Sequence, residues 1–252
     1  MINKTNPSVS LTKPVAILFD IDNTFYAYEP ADEAASKALR EEVEHSLQVP
    51  ASSYDVTFSQ ARQDVKERLA STASGHSRLL YIQKSLEILG FKSNPSLCLH
   101  LEETYWRAYL ENAVLFPGVL ETLELFRSCR IPLGIVTDLT MRLQLKKLVY
   151  FGLEQFFDVV VTSEETGTDK PEKSNFELTL SKLQLSKESG QVWMIGDDVK
   201  SDVVGGKTIG AITFQKIDKG SEIRQGEVSP DFAFEDFRAL SEFVRDYVTD
   251  RS

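Results

Sequence analysis

The sequence predicts an α/β protein with a Rossmann-like, doubly wound parallel sheet as its core and an all-helical cap domain inserted into that core. Three observations predict it. Short runs of branched apolar residues recur along the chain, and each stops at a polar cluster. Each run is followed by a stretch with helical patterning, and a long block after the first run has no strand signal. Short, continuously apolar runs suit strands buried on both faces, as in a parallel sheet, and their alternation with helices gives the doubly wound arrangement.

The elements follow in order. Residues 1–13 are polar and poor in basic residues, so they read as a flexible tail and fit neither a secretory signal nor a transit peptide. Pro14 to Phe19 is the first strand, ending at Asp20. Helical patterning then covers Ala31 to Leu47, Val56 to Leu69, Leu79 to Leu89 and Ser96 to Leu110, punctuated by Pro50, Gly75, Gly90 and Pro95. This block defines a cap at 26–112, and Phe116-Pro117-Gly118 marks the return to a core made of 14–25 and 113–252. In the core, Ile131 to Val136, Asp158 to Val161 and Val192 to Ile195 are further strands, with weaker candidates at Ala211 to Phe214 and Phe232 to Phe234.

Composition narrows the function. The 252 residues are 42% hydrophobic and 26% charged, ordinary globular values with no apolar run of membrane-spanning length. Thirty-eight acidic residues against 28 basic ones give a net charge of -10. Such a surface repels nucleic acid and anionic membranes, which removes both as expected partners. A phosphate ester would then need local cations or a metal at its site. Cys98 and Cys129 lie in apolar helical patterns far apart, as buried thiols of a protein in the reducing cytoplasm do. The three histidines lack metal-ligand spacing.

The first strand runs into Asp20-Ile21-Asp22-Asn23-Thr24. In an open parallel sheet, ligands bind beyond the carboxyl ends of the strands. Two carboxylates there read either as a hard-cation site with one group left to react, or as a solvent-exposed Asp-Asn turn. The other strand ends favour the first reading. They carry Thr137-Asp138, the loop with Asp169-Lys170-Pro171, and Gly196-Asp197-Asp198 with Asp202 one turn further on. Carboxylates, a hydroxyl and a lysine on one sheet edge suit phosphoryl transfer, with a small phosphorylated metabolite as substrate.

These motifs resemble the haloacid dehalogenase superfamily, in its phosphatase branch with a helical cap after the first strand. The resemblance rests on Asp20-x-Asp22-x-Thr24, Thr137, Lys170-Pro171, and Gly196-Asp197 with Asp202 downstream. It implies that Asp20 is the nucleophile and forms an aspartyl phosphate, and that Asp22 carries protons to and from the leaving oxygen and water. It implies Mg²⁺ held by Asp20, Asp197 and the Asp22 backbone carbonyl, with Thr137 and Lys170 on the phosphoryl group. Asp198 and Asp202 are expected behind these, orienting water or Lys170. Asp22 favours phosphatase or phosphomutase over dehalogenase, because an alkoxide leaving group needs a proton and a halide does not. Asp138 departs from the Asn common at its position; its backbone amide is the expected substrate contact, and its carboxylate would repel a phosphate.

In the cap, Ser74 to Arg78 opens a helix, and His76 and Arg78 are candidate contacts for a second anionic or polyhydroxyl group or, alternatively, a capped helix start with a surface arginine. The aromatic residues of Phe25 to Tyr28 read as packing or as a lid on a ligand. The leading expectation is a Mg²⁺-dependent phosphatase acting on a sugar phosphate or a nucleoside monophosphate. A phosphomutase of the same superfamily and a non-catalytic binding protein are the alternatives.

Overall fold

Four fully buried residues, Ala16, Ile17, Leu18 and Phe19, form the strand on which the core is built. In the computed structural model, which describes residues 2–186, 188–218, 220 and 228–249, the chain separates into two units. One comprises Met1–Tyr26 and Leu115–Ser252, the other Ala27–Val114.

The first unit begins with β1 (Ile2–Lys4) and β2 (Ala16–Phe19). The second holds α1 (Tyr28–Leu47), α2 (Ala51–Arg68), α3 (Arg78–Ile88) and α4 (Pro95–Asn112). The first unit then resumes with α5 (Val119–Ser128), β3 (Leu133–Thr137), α6 (Met141–Tyr150), β4 (Val159–Thr162), a single turn α7 (Ser163–Thr166) and α8 (Lys173–Lys182). It ends with β5 (Val192–Gly196), α9 (Val204–Thr208), β6 (Ile212–Lys216), β7 (Phe232–Phe234) and α10 (Phe237–Val248).

The sheet has seven strands in the order β1-β7-β6-β5-β2-β3-β4. All neighbours are parallel except the β1–β7 pair. From β2 the chain winds outward through β3 and β4, then crosses back to β5 and winds outward the other way. That reversal puts the topological switch point at the carboxyl end of β2, where such sheets bind ligands. One face of the sheet carries a core of Leu18, Val136, Val192 and Met194 packed with Phe176 and Leu180 of α8. Elsewhere in the unit Phe19, Phe25, Phe126 and Phe157 form a ring cluster with centroids 5.4 to 6.2 Å apart. Full burial of each such side chain contributes about 1.5–3 kcal/mol.

Strands β2, β3, β4 and β6 start one or two residues later than the apolar runs suggest, while β5 and β7 start where they are expected. β3 begins after Pro132, which has no N–H to give a ladder. Asp158 stays outside β4 and instead accepts the Leu133 N–H through its carboxylate at 2.8 Å. The larger departure is at the amino end, where a flexible tail is expected. Ile2, Asn3 and Lys4 pair antiparallel with Phe234, Ala233 and Phe232. The next residues are fastened too, since the Thr5 amide donates to Asp231 O and the Asn6 side chain to Asp231 Oδ1. A three-residue edge strand needs only backbone groups and so leaves no apolar pattern to read.

In the helical unit, Asn94 accepts the Leu97 N–H and Pro95 opens α4, while Ser77 accepts the Leu80 N–H at the start of α3. Among the described residues no helix is long and apolar enough to cross a membrane.

Candidate active site

Asp20 directly follows β2, and its amide donates to Ile195 O of β5 at 3.0 Å, so its backbone is fixed between neighbouring strands. The loop after it closes at once, with the Phe25 N–H donating to Ile21 O and Asn23 in the left-handed region at φ 58°. Asn tolerates that conformation well. Asp20 is 5% exposed. Its Oδ1 accepts from Lys170 Nζ at 2.5 Å and its Oδ2 from the Thr24 hydroxyl at 3.4 Å.

Lys170 joins two carboxylates, because its Nζ also donates to Asp202 Oδ1 at 2.6 Å. The other oxygen of Asp202 accepts the Asp198 N–H at 3.1 Å. Asp202 reaches this place from a wide π-type turn at Val199–Val203, directly beside Gly196. A Cβ at position 196 would lie 2.3 Å from the Asp202 carboxyl carbon, which is why only glycine fits the strand end there. Asp198 is exposed, and its side chain caps the turn by accepting the Lys200 N–H. Asp197 completes the cluster: one carboxylate oxygen each of Asp20, Asp197 and Asp202 lie within 4.8 Å of one another.

The electrostatics follow from this crowding. Burial, opposed by Lys170 but reinforced by the charges of Asp202 and Asp22, pushes Asp20 up to about 7. Burial and the charges of Asp20 and Asp202 push Asp197 up to about 8. Burial also raises Asp202, with Lys170 opposing. Burial alone would lower Lys170, but Asp20, Asp202 and Asp138 outweigh it and hold the ammonium well above its ordinary range. Three carboxylates against one lysine leave a deficit of positive charge, and every donor atom is a hard oxygen. That set fits a divalent cation such as Mg²⁺.

Asp22 lies in a different environment. Its carboxylate accepts from Lys147 Nζ at 2.7 and 2.8 Å, from the Gln144 side chain at 3.3 Å, and from the Tyr26 hydroxyl. Burial pushes Asp22 up, but the Lys147 charge and these hydrogen bonds overcome it and hold the carboxyl below its ordinary value. Gln144 also donates to Thr137 Oγ1 at 2.9 Å and to Asp138 O at 2.8 Å. Nothing in the sequence singles out Gln144 or Lys147, and Tyr26 reads there as packing or a lid and not as a partner of Asp22. Lysine and glutamine on a helix ordinarily read as its solvent face.

Asp138 settles differently from the sequence-based concern. Its carboxylate accepts the backbone N–H of Lys170 at 2.9 Å and so fastens the loop that carries the lysine. Burial raises it.

His76 and Arg78 lie in the helical unit. His76 is in a short turn at Ala73–His76, and its carbonyl accepts from Arg78. Arg78 is no surface arginine: it is 9% exposed, donates to Asp32 at 3.2 Å and to the Tyr28 hydroxyl, and sits over the Tyr81 and Tyr105 rings at 5.5 and 5.3 Å. Tyr28 and Tyr105 also donate to Asp32. Burial pushes Asp32 up, but Tyr105, Arg78 and Tyr28 lower it overall. These contacts anchor the guanidinium inside its own unit, so of the two readings of Arg78 the surface arginine is the one the structure contradicts.

Comparison with known proteins fits this geometry. The family model for the haloacid dehalogenase-like hydrolases matches residues 17–215. A ribulose-1,5-bisphosphate 5-phosphatase of Halopiger xanaduensis is 36% identical over 199 residues, covering 79% of this chain and 82% of its own. A glyceraldehyde 3-phosphate phosphatase of Methanopyrus kandleri is 28% identical over 240 residues, covering 93% and 99%. Among solved structures, a phosphatase of the same family from Thermococcus onnurineus superposes with a TM-score of 0.65 at 23% identity, over 91% of this chain and 97% of that one, which is a likeness of fold.

Proposed function

The chain belongs to the haloacid dehalogenase-like hydrolase family, and from that premise we propose that it is a cytoplasmic phosphatase hydrolysing a small phosphorylated sugar through an aspartyl phosphate at Asp20. The observation that carries this reading is the constellation of buried Asp20, Lys170 and Asp202 with half-buried Asp197 at the switch point of the sheet.

In the proposed mechanism a carboxylate oxygen of Asp20 attacks phosphorus in line, forming the aspartyl P–O bond as the ester P–O bond breaks. Asp22, ionised among its present contacts, takes up a proton before the chemical step and delivers it to the leaving oxygen. A water then attacks the aspartyl phosphate, gives its proton to Asp22, and releases inorganic phosphate with Asp20 restored. Thr137 and Lys170 hold the phosphoryl oxygens, while Asp202 keeps Lys170 aimed at Asp20. Asp20, Asp197 and the Asp22 carbonyl would hold Mg²⁺, which when bound supplies positive charge to the phosphoryl oxygens. Asp202 has the role of orienting Lys170, whose Nζ donates to its Oδ1 while its Oδ2 accepts the Asp198 N–H. Asp138 contributes by bracing the Lys170 loop.

The names of the relatives favour a phosphorylated sugar over a nucleoside monophosphate. The test is phosphate release with Mg²⁺ from ribulose-1,5-bisphosphate, glyceraldehyde 3-phosphate, hexose phosphates and nucleoside monophosphates. The highest kcat/KM is expected on a sugar phosphate, without any bisphosphate activator. Turnover that requires such an activator would instead identify a phosphomutase, and no turnover of any ester would overturn the reading.

Asp22→Asn tests the proton carrier. The loss is expected to be roughly 10²- to 10⁴-fold on a sugar phosphate, whose alkoxide must be protonated, and much smaller on p-nitrophenyl phosphate. Equal losses on both would remove Asp22 from that role.

The cation makes a separate prediction in thermal unfolding. Asp20 and Asp197 are raised to about 7 and about 8 in the folded state, so without metal they keep protons there that the unfolded chain loses near pH 4. As pH rises through 7 and 8 those protons leave, the buried carboxylates repel, and the metal-free protein loses stability. Mg²⁺ replaces the protons, so the rise in Tm it gives is expected to be larger at pH 8.5 than at pH 6. A rise independent of pH would show that these carboxylates do not hold the ion.

A further inference from the structure

Helix α6 buries two polar side chains beside Leu148 and leaves apolar ones exposed. Gln144 and Lys147 are 0% and 1% exposed, whereas Leu145, Val149 and Tyr150 are 44%, 62% and 48% exposed. Burying a lysine is costly unless it is paired and hydrogen-bonded. Here the partner is Asp22, which contacts Lys147 Nζ through both oxygens. Each of those oxygens has a further donor, Oδ1 the Tyr26 hydroxyl and Oδ2 the Gln144 amide. Tyr26 is itself held, with its ring 5.0 Å from that of Phe151 at the end of α6. The two short contacts from Lys147 dominate, because the two hydrogens of the Gln144 amide are shared among three acceptors and its 3.3 Å contact with Asp22 is the longest; together with Tyr26 they hold the carboxylate in one rotamer.

The same helix face reaches a second functional group. The Gln144 amide that donates to Asp22 also donates to Thr137 Oγ1 at 2.9 Å and to Asp138 O. A hydroxyl that accepts from Gln144 keeps its own proton for another acceptor, and for Thr137 that acceptor is a phosphoryl oxygen. A polar stretch of α6 thus connects the proton carrier with the hydroxyl that holds the phosphoryl group.

We propose that Lys147 is a positioning residue for the hydrolysis: it seats the Asp22 carboxylate, with Gln144 and Tyr26 completing the seat, and so governs proton transfer to the leaving oxygen without touching the substrate. This rests on the reading of Asp22 as proton carrier. Lys147 makes no bond to the phosphoryl group in the scheme. Its removal therefore affects the step that needs Asp22 and spares the step that does not.

The experiment compares Lys147→Met, Lys147→Arg, Asp22→Asn and the double variant Asp22→Asn/Lys147→Met, on a sugar phosphate and on p-nitrophenyl phosphate. Lys147→Met is expected to lower kcat on the sugar phosphate by roughly 10²-fold, the loss typical of a displaced catalytic group, with little change in KM and a much smaller loss on p-nitrophenyl phosphate. Lys147→Arg should recover part of the lost kcat on the sugar phosphate only. On the Asp22→Asn background, Lys147→Met should cost nothing further, because the group it positions is already gone. The double variant replaces both charges of the buried pair, so it stays informative if Lys147→Met alone leaves Asp22 unpaired and fails to fold. Losses that multiply in the double variant, or a single-variant loss equal on both substrates, would overturn the positioning role. If Asp22→Asn itself shows no dependence on the leaving group, it is the parent reading of Asp22 that fails, whatever Lys147 does.

Discussion

Asp20→Asn is expected to abolish turnover, lowering kcat by at least about 10⁴-fold, since nucleophile removal in covalent catalysis leaves only binding and electrostatic contributions. An amide cannot form the acyl phosphate, and it also withdraws a negative oxygen from the cation site. The fold should survive the change. The site already carries more negative than positive charge, and burial raises the Asp20 carboxyl to about 7, so a neutral isostere relieves a strained anion. Lys170 keeps its second partner, Asp202, at 2.6 Å. The expected pattern is therefore loss of phosphate release on every substrate with a Tm equal to or above that of the parent at pH 8. Residual turnover within an order of magnitude of the parent would place the nucleophile elsewhere. A large fall in Tm would mean that Asp20 supports the fold, and the activity loss would then say nothing of chemistry.

Why Asp20 is legible in the sequence while Lys147 is not has a physical answer. The strand before Asp20 is buried on both faces, so its whole sequence is apolar, and the first charge after it marks the sheet edge. Thr137, Lys170 and Asp197 are marked the same way, by their place at or after a strand end. Such local marks give the strand order no direct signature, but they do give the site, because the parallel sheet brings the ends together. Lys147 has no such mark. Its partner Asp22 is 125 residues away, and only the packing of α6 brings them together. Arg78 presents the same difficulty, with Asp32 lying 46 residues before it. A buried cation within a helix looks like a solvated one until its anion is found in space. In α6 the apolar residues at 145, 149 and 150 even suggest the opposite face as the buried one. The first strand is hidden for another reason: Ile2–Lys4 joins the sheet through backbone hydrogen bonds, which any composition can supply. Asp138 shows where a motif is readable but its electrostatics are not. The choice between repelling a phosphate and bracing Lys170 is decided by the path of a loop 32 residues on.

Lys170→Met should have the second large effect, and here stability and activity fall together. Lys170 is 8% exposed and is the cation between Asp20 and Asp202, at 2.5 and 2.6 Å. Removing one member of a buried ion pair strands the other, at a typical cost of about 3–5 kcal/mol. Two carboxylates are stranded in this case, but each can escape part of that cost by taking up a proton. The pH dependence follows from that escape. In the parent, burial already raises Asp20 and Asp202 despite the attraction of Lys170. Without the lysine both rise further above their unfolded values. A carboxyl whose folded value is raised favours the folded state only while it is protonated, so its contribution is fully present at low pH and is lost as pH rises through the folded value. The deficit of Lys170→Met relative to the parent is thus expected to be small near pH 5 and to grow between pH 6 and 9, read as diverging Tm profiles. Parallel profiles would mean that Lys170 does not compensate these carboxylates. At pH 5, where the variant is best folded, activity should still be lost by several orders of magnitude, because a neutral side chain offers the phosphoryl oxygens no charge. That separates the two duties of one ammonium: the stability it lends returns with protons, and the chemistry does not.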